Sequence, residues 1–152
     1  MVWPDDLISI LLATFLGACI GLERELSGKA AGLRTNLLIC LGAALFTIIS
    51  AEMAAGAKDS TTRIAAQIVT GVGFLGAGAI IQDRGGVHGL TTAATIWLVA
   101  SIGMACGARF YQLAIIAAAI ALFVLLCLGR LSKHLDRLMG KKKRSRAADE
   151  LD

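Results

Sequence analysis

Apolar residues run through this chain in long blocks separated by short polar segments, and the blocks set the predicted elements. Five stand out: Leu7–Leu22, Leu37–Ala57, Ile64–Ile81, Leu90–Gly107 and Tyr111–Gly129. Each reaches or approaches the ~20 residues an α-helix needs to cross about 30 Å of hydrocarbon. The pattern predicts an all-α, polytopic membrane bundle of about five spans. The first and fourth blocks are the weakest, being short or threonine-containing, and four spans plus a re-entrant segment is the alternative. Residues 1–129 make up the membrane domain, and 130–152 a basic tail partly without fixed structure.

The segment Gly71–Trp97 (GVGFLGAGAIIQDRGGVHGLTTAATIW) carries the strongest local signal. Each glycine inside a helix costs roughly 1 kcal/mol against Ala. In a bilayer the same glycines are useful, because helices associate there through close backbone approach. Gly71, Gly73, Gly76 and Gly78 are therefore expected to serve helix packing, as are the GxxxG pairs Gly17/Gly21 and Gly103/Gly107, within the chain or in a homo-oligomer. The letters Gly71-Val72-Gly73-Phe74-Leu75-Gly76 also fit a dinucleotide fingerprint. That motif needs a preceding strand and an acid about 20 residues on, and Ile96 stands where the acid should be.

Composition agrees with a membrane location: 57% of the residues are hydrophobic, 17% are charged, and there is one proline. The N-terminus presents Asp5 and Asp6 where a removable signal carries positive charge. Trp3-Pro4-Asp5-Asp6 instead suits an interfacial aromatic and a helix start. With five spans, Arg24, Lys29, Arg34, Arg84 and the basic tail fall on one side, against Lys58, Arg63 and Arg109 on the other. The positive-inside rule then places the N-terminus outside and the C-terminus in the cytoplasm. The net charge of +4 is concentrated in the tail, where KKKRSR suits an anionic lipid surface or a topology signal. Nucleic acid is not an expected partner, since no folded basic domain or aromatic platform accompanies these charges.

Candidate chemistry is sparse. Cys19, Cys40, Cys106 and Cys127 are spread along the blocks with no CxxC, and they are expected to be small buried hydrophobes. His88 and His134 lie in separate polar segments, and no nucleophile has an evident base. The chain is thus expected to have no catalytic residues and no cofactor. Polar residues near the outer ends of the spans suggest an intramembrane cluster of Glu52, Arg63 and Gln67, because buried charge tends to pair or to line a pathway. Toward the inner face, Glu23, Arg24, Lys29, Arg34, Thr35 and Asn36 converge with Asp83, Thr91 and Thr92. Thr91 or Thr92 is expected to cap the fourth span. Such a face suits a docking surface or the mouth of a polar cavity.

Gly21-Leu22-Glu23-Arg24-Glu25 followed by Lys29–Phe46 (KAAGLRTNLLICLGAALF) resembles the first signature block of the MgtC/SapB membrane family. Arg63–Gln67, Gly71–Gly78 and Gly89–Trp97 resemble the second, in family order, and the likeness covers about residues 5–128. The resemblance implies a bacterial inner-membrane protein connected with growth at low magnesium and with acid or other stress. It also implies regulation of other membrane proteins, the ATP synthase among them. The short tail is expected to match SapB-like forms without a soluble C-terminal domain. The rival is a small homo-oligomeric carrier or channel for magnesium or another cation. Magnesium favours octahedral oxygen ligands and sheds water reluctantly. Only Glu52 lies within the spans as a carboxylate, with Glu23, Glu25 and Asp83 at the inner rim, so a crossing path would require an oligomer.

Overall fold

The computed structural model describes residues 4–53, 61–83 and 86–129, with the side chains of residues 61–65 and Asp83 outside that description. Five helices follow one another: α1 (Pro4–Leu26), α2 (Leu33–Met53), α3 (Thr61–Gly78), α4 (Leu90–Gly107) and α5 (Tyr111–Phe123). The last continues into a π-helical turn, Val124–Leu128. Four of them are long and apolar enough to cross a membrane, with α5 and its π turn counted as one. In α3, whose first five side chains lie outside the description, the described apolar segment is Ala66–Gly78. The sequence pattern marked the first and fourth blocks as weak. In the structure α1 is the longest helix, because Pro4 starts it and Asp5 and Asp6 suit its first turn.

Helix α2 is central, with α1 and α4 packed on either side. Glycine makes this possible. A Cβ on Gly17 would lie 2.6 Å from the Cys40 Cβ, and one on Gly21 would lie 2.9 Å from the Leu33 Cα. On the opposite side, a Cβ on Gly103 would lie 2.9 Å from the Cys40 carbonyl carbon, and one on Gly107 would lie 2.5 Å from the Ala44 oxygen. Both GxxxG pairs are therefore used inside the chain, against one helix. Helix α5 closes the bundle on α1 and α4 through Ala114, Ala118 and Ala121, a buried small-residue stripe at helical spacing. Exposed Leu11, Phe15, Phe46, Leu113, Ile116 and Phe123 face outward, an apolar surface suited to a membrane rather than to water.

Helix α3 lies against α2 and α4 through Ile68 and Val72, with Gly76 facing Ala93. At its other glycines, Gly71, Gly73 and Gly78, a Cβ would meet nothing within 4 Å, so these three make no close packing inside the chain. Between α3 and α4, the polar segment pairs as a short antiparallel hairpin, β1 (Ile81–Asp83) with β2 (Gly86–His88). Gly89 (φ +88°) then turns the chain into α4, and a side chain there would strike the Ala79 carbonyl. This displaces the expected threonine cap. Gly89 occupies the cap position and the helix begins at Leu90, so Thr91 and Thr92 fall inside its first turn. All four cysteines are free thiols, Cys40 and Cys106 buried and Cys127 exposed.

Candidate functional site

Polar side chains gather at the two ends of the bundle. At one end, α1 finishes in Glu23 and Arg24, both buried. The spacing Leu16, Gly17, Ile20, Glu23, Arg24 places them on the core face of the helix, so they leave water together. Arg24 Nε donates to Glu23 Oε2, and the Ser27 hydroxyl donates to Glu23 Oε1 at 2.8 Å. A buried carboxylate requires such partners, because desolvation disfavours its charge. The chain then reverses through a Schellman turn, with Lys29 N–H on Arg24 C=O (3.0 Å) and Gly28 N–H on Glu25 C=O (2.9 Å). Gly28 takes the left-handed position (φ +64°).

Two side chains lock the start of α2. Glu25 Oε2 accepts the Leu33 N–H at 2.9 Å, a helix cap supplied from the preceding helix. Asn36 is fully buried, and its Nδ2 donates to the carbonyls of Ala31 (2.7 Å) and Gly32 (2.9 Å). Its Oδ1 is buried without a hydrogen-bond partner among the described residues. Around this framework Lys29, Arg34 and Thr35 are exposed. Thr92 and Thr95 are buried in the first turns of α4, the Thr95 hydroxyl donating to Thr91 C=O at 2.8 Å, while Thr91 is exposed. The structure thus gathers Glu23, Arg24 and Asn36 around one turn and adds Glu25 and Ser27. Asp83, whose side chain is outside the description, belongs to the hairpin that precedes α4.

The second polar group, at the opposite end, was missed from sequence. Arg109 donates through Nη2 to Asp6 Oδ1 at 3.0 Å and through Nη1 to Asp5 Oδ2 at 3.4 Å. The Ser9 and Tyr111 hydroxyls lie 2.9 Å apart and both reach the Asp5 carbonyl, at 3.0 and 3.1 Å. With two protons for three contacts, two of these are hydrogen bonds at any moment. The Asp6 carboxylate, followed by weaker attraction to Asp5, holds the Arg109 guanidinium above its ordinary pKa. A signal was available: Asp6 and Ser9 continue the core-facing series Ala13, Leu16, Ile20 backward along α1. Of the expected Glu52–Arg63/Gln67 cluster, Glu52 and Gln67 are both exposed, and the Arg63 side chain lies outside the description. No hydrogen bond joins Glu52 to Gln67 among the described residues. Also among those residues, no three His, Cys, Asp or Glu side chains group so as to hold a metal ion.

A bundle of apolar helices with polar groups at its ends defines a multi-pass membrane protein. The MgtC family model matches residues 10–134, and the chain belongs to that family. It is 45% identical over 127 residues to YhiD of Escherichia coli K12, whose name marks it as a candidate magnesium transporter; the match covers 80% of this chain and 59% of YhiD. It is 43% identical over 132 residues to Protein MgtC of Salmonella typhimurium LT2, covering 87% of this chain and 56% of that protein. It is 40% identical over 136 residues to slr0014 of Synechocystis sp. PCC 6803, covering 90% of this chain and 57% of slr0014. The chain thus spans under three-fifths of the length of each. No solved structure matches it.

Proposed function

We propose that this chain is a non-enzymatic inner-membrane protein that regulates a membrane partner, and through it ion homeostasis under low magnesium or other stress. In this reading the Glu23 end faces the cytoplasm, in keeping with the distribution of basic residues. One observation carries the reading: the buried Glu23–Arg24 pair and the Glu25 and Asn36 contacts fix the α1–α2 turn while Lys29, Arg34 and Thr35 stay exposed around it. A preorganised charged surface loses little freedom on docking. The middle of the core between α1, α2 and α4 adds support, because Ile20, Cys40, Val99 and Ile102 fill it.

The name of the YhiD relative favours a second reading, a carrier for magnesium. Two measurements on the intact chain separate the two. The regulator should co-purify with a membrane protein and lose it when Arg34→Glu reverses the exposed charge. It should also carry no magnesium or protons in liposomes. Flux by the purified chain alone, abolished by Glu52→Ala, would establish the carrier.

A further inference from the structure

Helix α3 packs against α2 and α4 and leaves an outward face that does not suit a lipid-facing position. Its outer face is built from Gln67, Gly71, Phe74 and Gly78, whose spacing of four, three and four residues keeps them on one side of the helix. Gln67 lies six residues from the helix start, about 9 Å along the axis. It is exposed there and has no hydrogen-bond partner among the described residues. Lipid offers an amide none. Beside this face runs a groove of about 520 Å³ between α2 and α3, lined by Gly42, Phe46, Ile68, Gly71 and Leu75, with Gln67 its only polar side chain. A Cβ at Gly42 or Gly71 would meet nothing within this chain, whereas Phe74 stands 81% exposed next to the recess.

We infer that this face binds a second copy of the chain, α3 against α3, about a two-fold axis normal to the membrane. Three features point to a copy of the same chain. A carboxamide is both donor and acceptor, so Gln67 of each copy satisfies the other across the axis. Gly71 permits close approach of the two backbones. Phe74 is a knob beside a recess, and a two-fold axis seats both knobs in both recesses at once. An acyl chain could fill the groove but could not bond to the amide. The other glycine pairs, Gly17/Gly21 and Gly103/Gly107, are already used against α2 and cannot serve as this interface. The inference holds for either reading of function.

The test is energy transfer between full-length chains carrying a donor or an acceptor dye at the C-terminal residue, reconstituted together in phosphatidylethanolamine/phosphatidylglycerol vesicles. Transfer should rise with the protein-to-lipid ratio and saturate at the value for a dimer. Gly71→Leu and Gln67→Leu should raise the ratio needed for half-saturation at least tenfold. Gly73→Leu, on the opposite side of α3, and Phe15→Ala, on the lipid face of α1, should leave it unchanged. Gly71→Ala adds a Cβ to open space, so helicity and thermal midpoint should not fall below wild-type values, while transfer should still weaken. Transfer at the level of random proximity, or equal transfer in wild type and Gly71→Leu, would overturn the inference. So would transfer lost in Phe15→Ala and retained in Gln67→Leu.

Discussion

Arg109 reaches Asp6 across 103 residues of sequence, Nη2 to Oδ1 at 3.0 Å, from a backbone position that normally belongs to glycine. Its φ of +65° is the left-handed conformation of a Schellman turn, made by Phe110 N–H on Ala105 C=O (2.8 Å) and Arg109 N–H on Cys106 C=O (3.0 Å). The end of α1 uses Gly28 for the same role. A non-glycine residue is strained there, and its side chain supplies the compensation by clamping the start of α1. Glycine at 109 would relieve the backbone and lose the clamp, whereas alanine would keep the strain and lose the clamp as well. Arg109→Ala is therefore expected to lower the thermal midpoint in detergent more than Arg109→Gly. Equal midpoints would mean that the strain is negligible.

The glycines divide by what lies opposite them. At Gly103 a methyl group must push α4 away from the Cys40 backbone, which cannot yield as a side-chain tip can. Overpacking of a core typically costs about 1–3 kcal/mol, and this contact is expected at or above the upper end. At Gly73 and Gly78 the same methyl meets open space. There the helix gains up to about 1 kcal/mol from the better propensity of alanine. Unfolding free energies of Gly103→Ala and Gly73→Ala should therefore move in opposite directions.

Asn36 holds two carbonyls with one amide nitrogen while its oxygen is buried without a partner. Asn36→Ala removes the orphaned oxygen but also strands the Ala31 carbonyl, while the Gly32 carbonyl keeps the backbone N–H of residue 36 (3.1 Å). The change is expected to cost about 1–3 kcal/mol. Asn36→Asp should be worse, because an ionised carboxylate has no proton to give those carbonyls and brings a charge into the core. Thermal unfolding of the two variants gives the order directly. An aspartate variant as stable as the alanine variant would argue that the site admits water.

Glu25 and Gly32 share one contact. The Glu25 carboxylate bonds to Leu33 N–H in the space that a Cβ on Gly32 would occupy. Glu25→Ala is expected to cost about 1 kcal/mol, the usual loss on removing a helix cap. Gly32→Ala should displace the same carboxylate. Once Glu25 has been removed the second substitution has little left to disturb, so the double variant should be clearly less destabilised than the sum. Additive effects would show that the two residues act independently.

The five helices were legible because apolar blocks in a bilayer leave few alternatives, and the pairs Gly17/Gly21 and Gly103/Gly107 announced close packing. The relative strength of the helices was not legible. The sequence of α1 looked short because Asp6, Ser9, Glu23 and Arg24 interrupt its apolar count, yet these are residues that the bundle buries and pairs. The inner group of Glu23, Arg24 and Asn36 could be anticipated from its crowding of polar residues at one membrane face. The Asp6–Arg109 pair was passed over, because its members lie 103 residues apart and each has an ordinary local explanation, although the place of Asp6 on the core face of α1 was readable. The cap of α4 was assigned to threonine on propensity, but the close approach of Ala79 required glycine two residues before Thr91.

The two glycine pairs have a mechanical consequence. Where the glycine pairs bring backbones into near contact on both sides of α2, no long side chains lie between them to act as a bearing. A slide or rotation of α2 would drive Cys40 and Ala44 into the neighbouring main chains. Helices α1, α2 and α4 therefore behave as a single strut from one membrane face to the other. Any rearrangement that carries a signal or a substrate across must be made by α3 or α5, the two helices free to move against it.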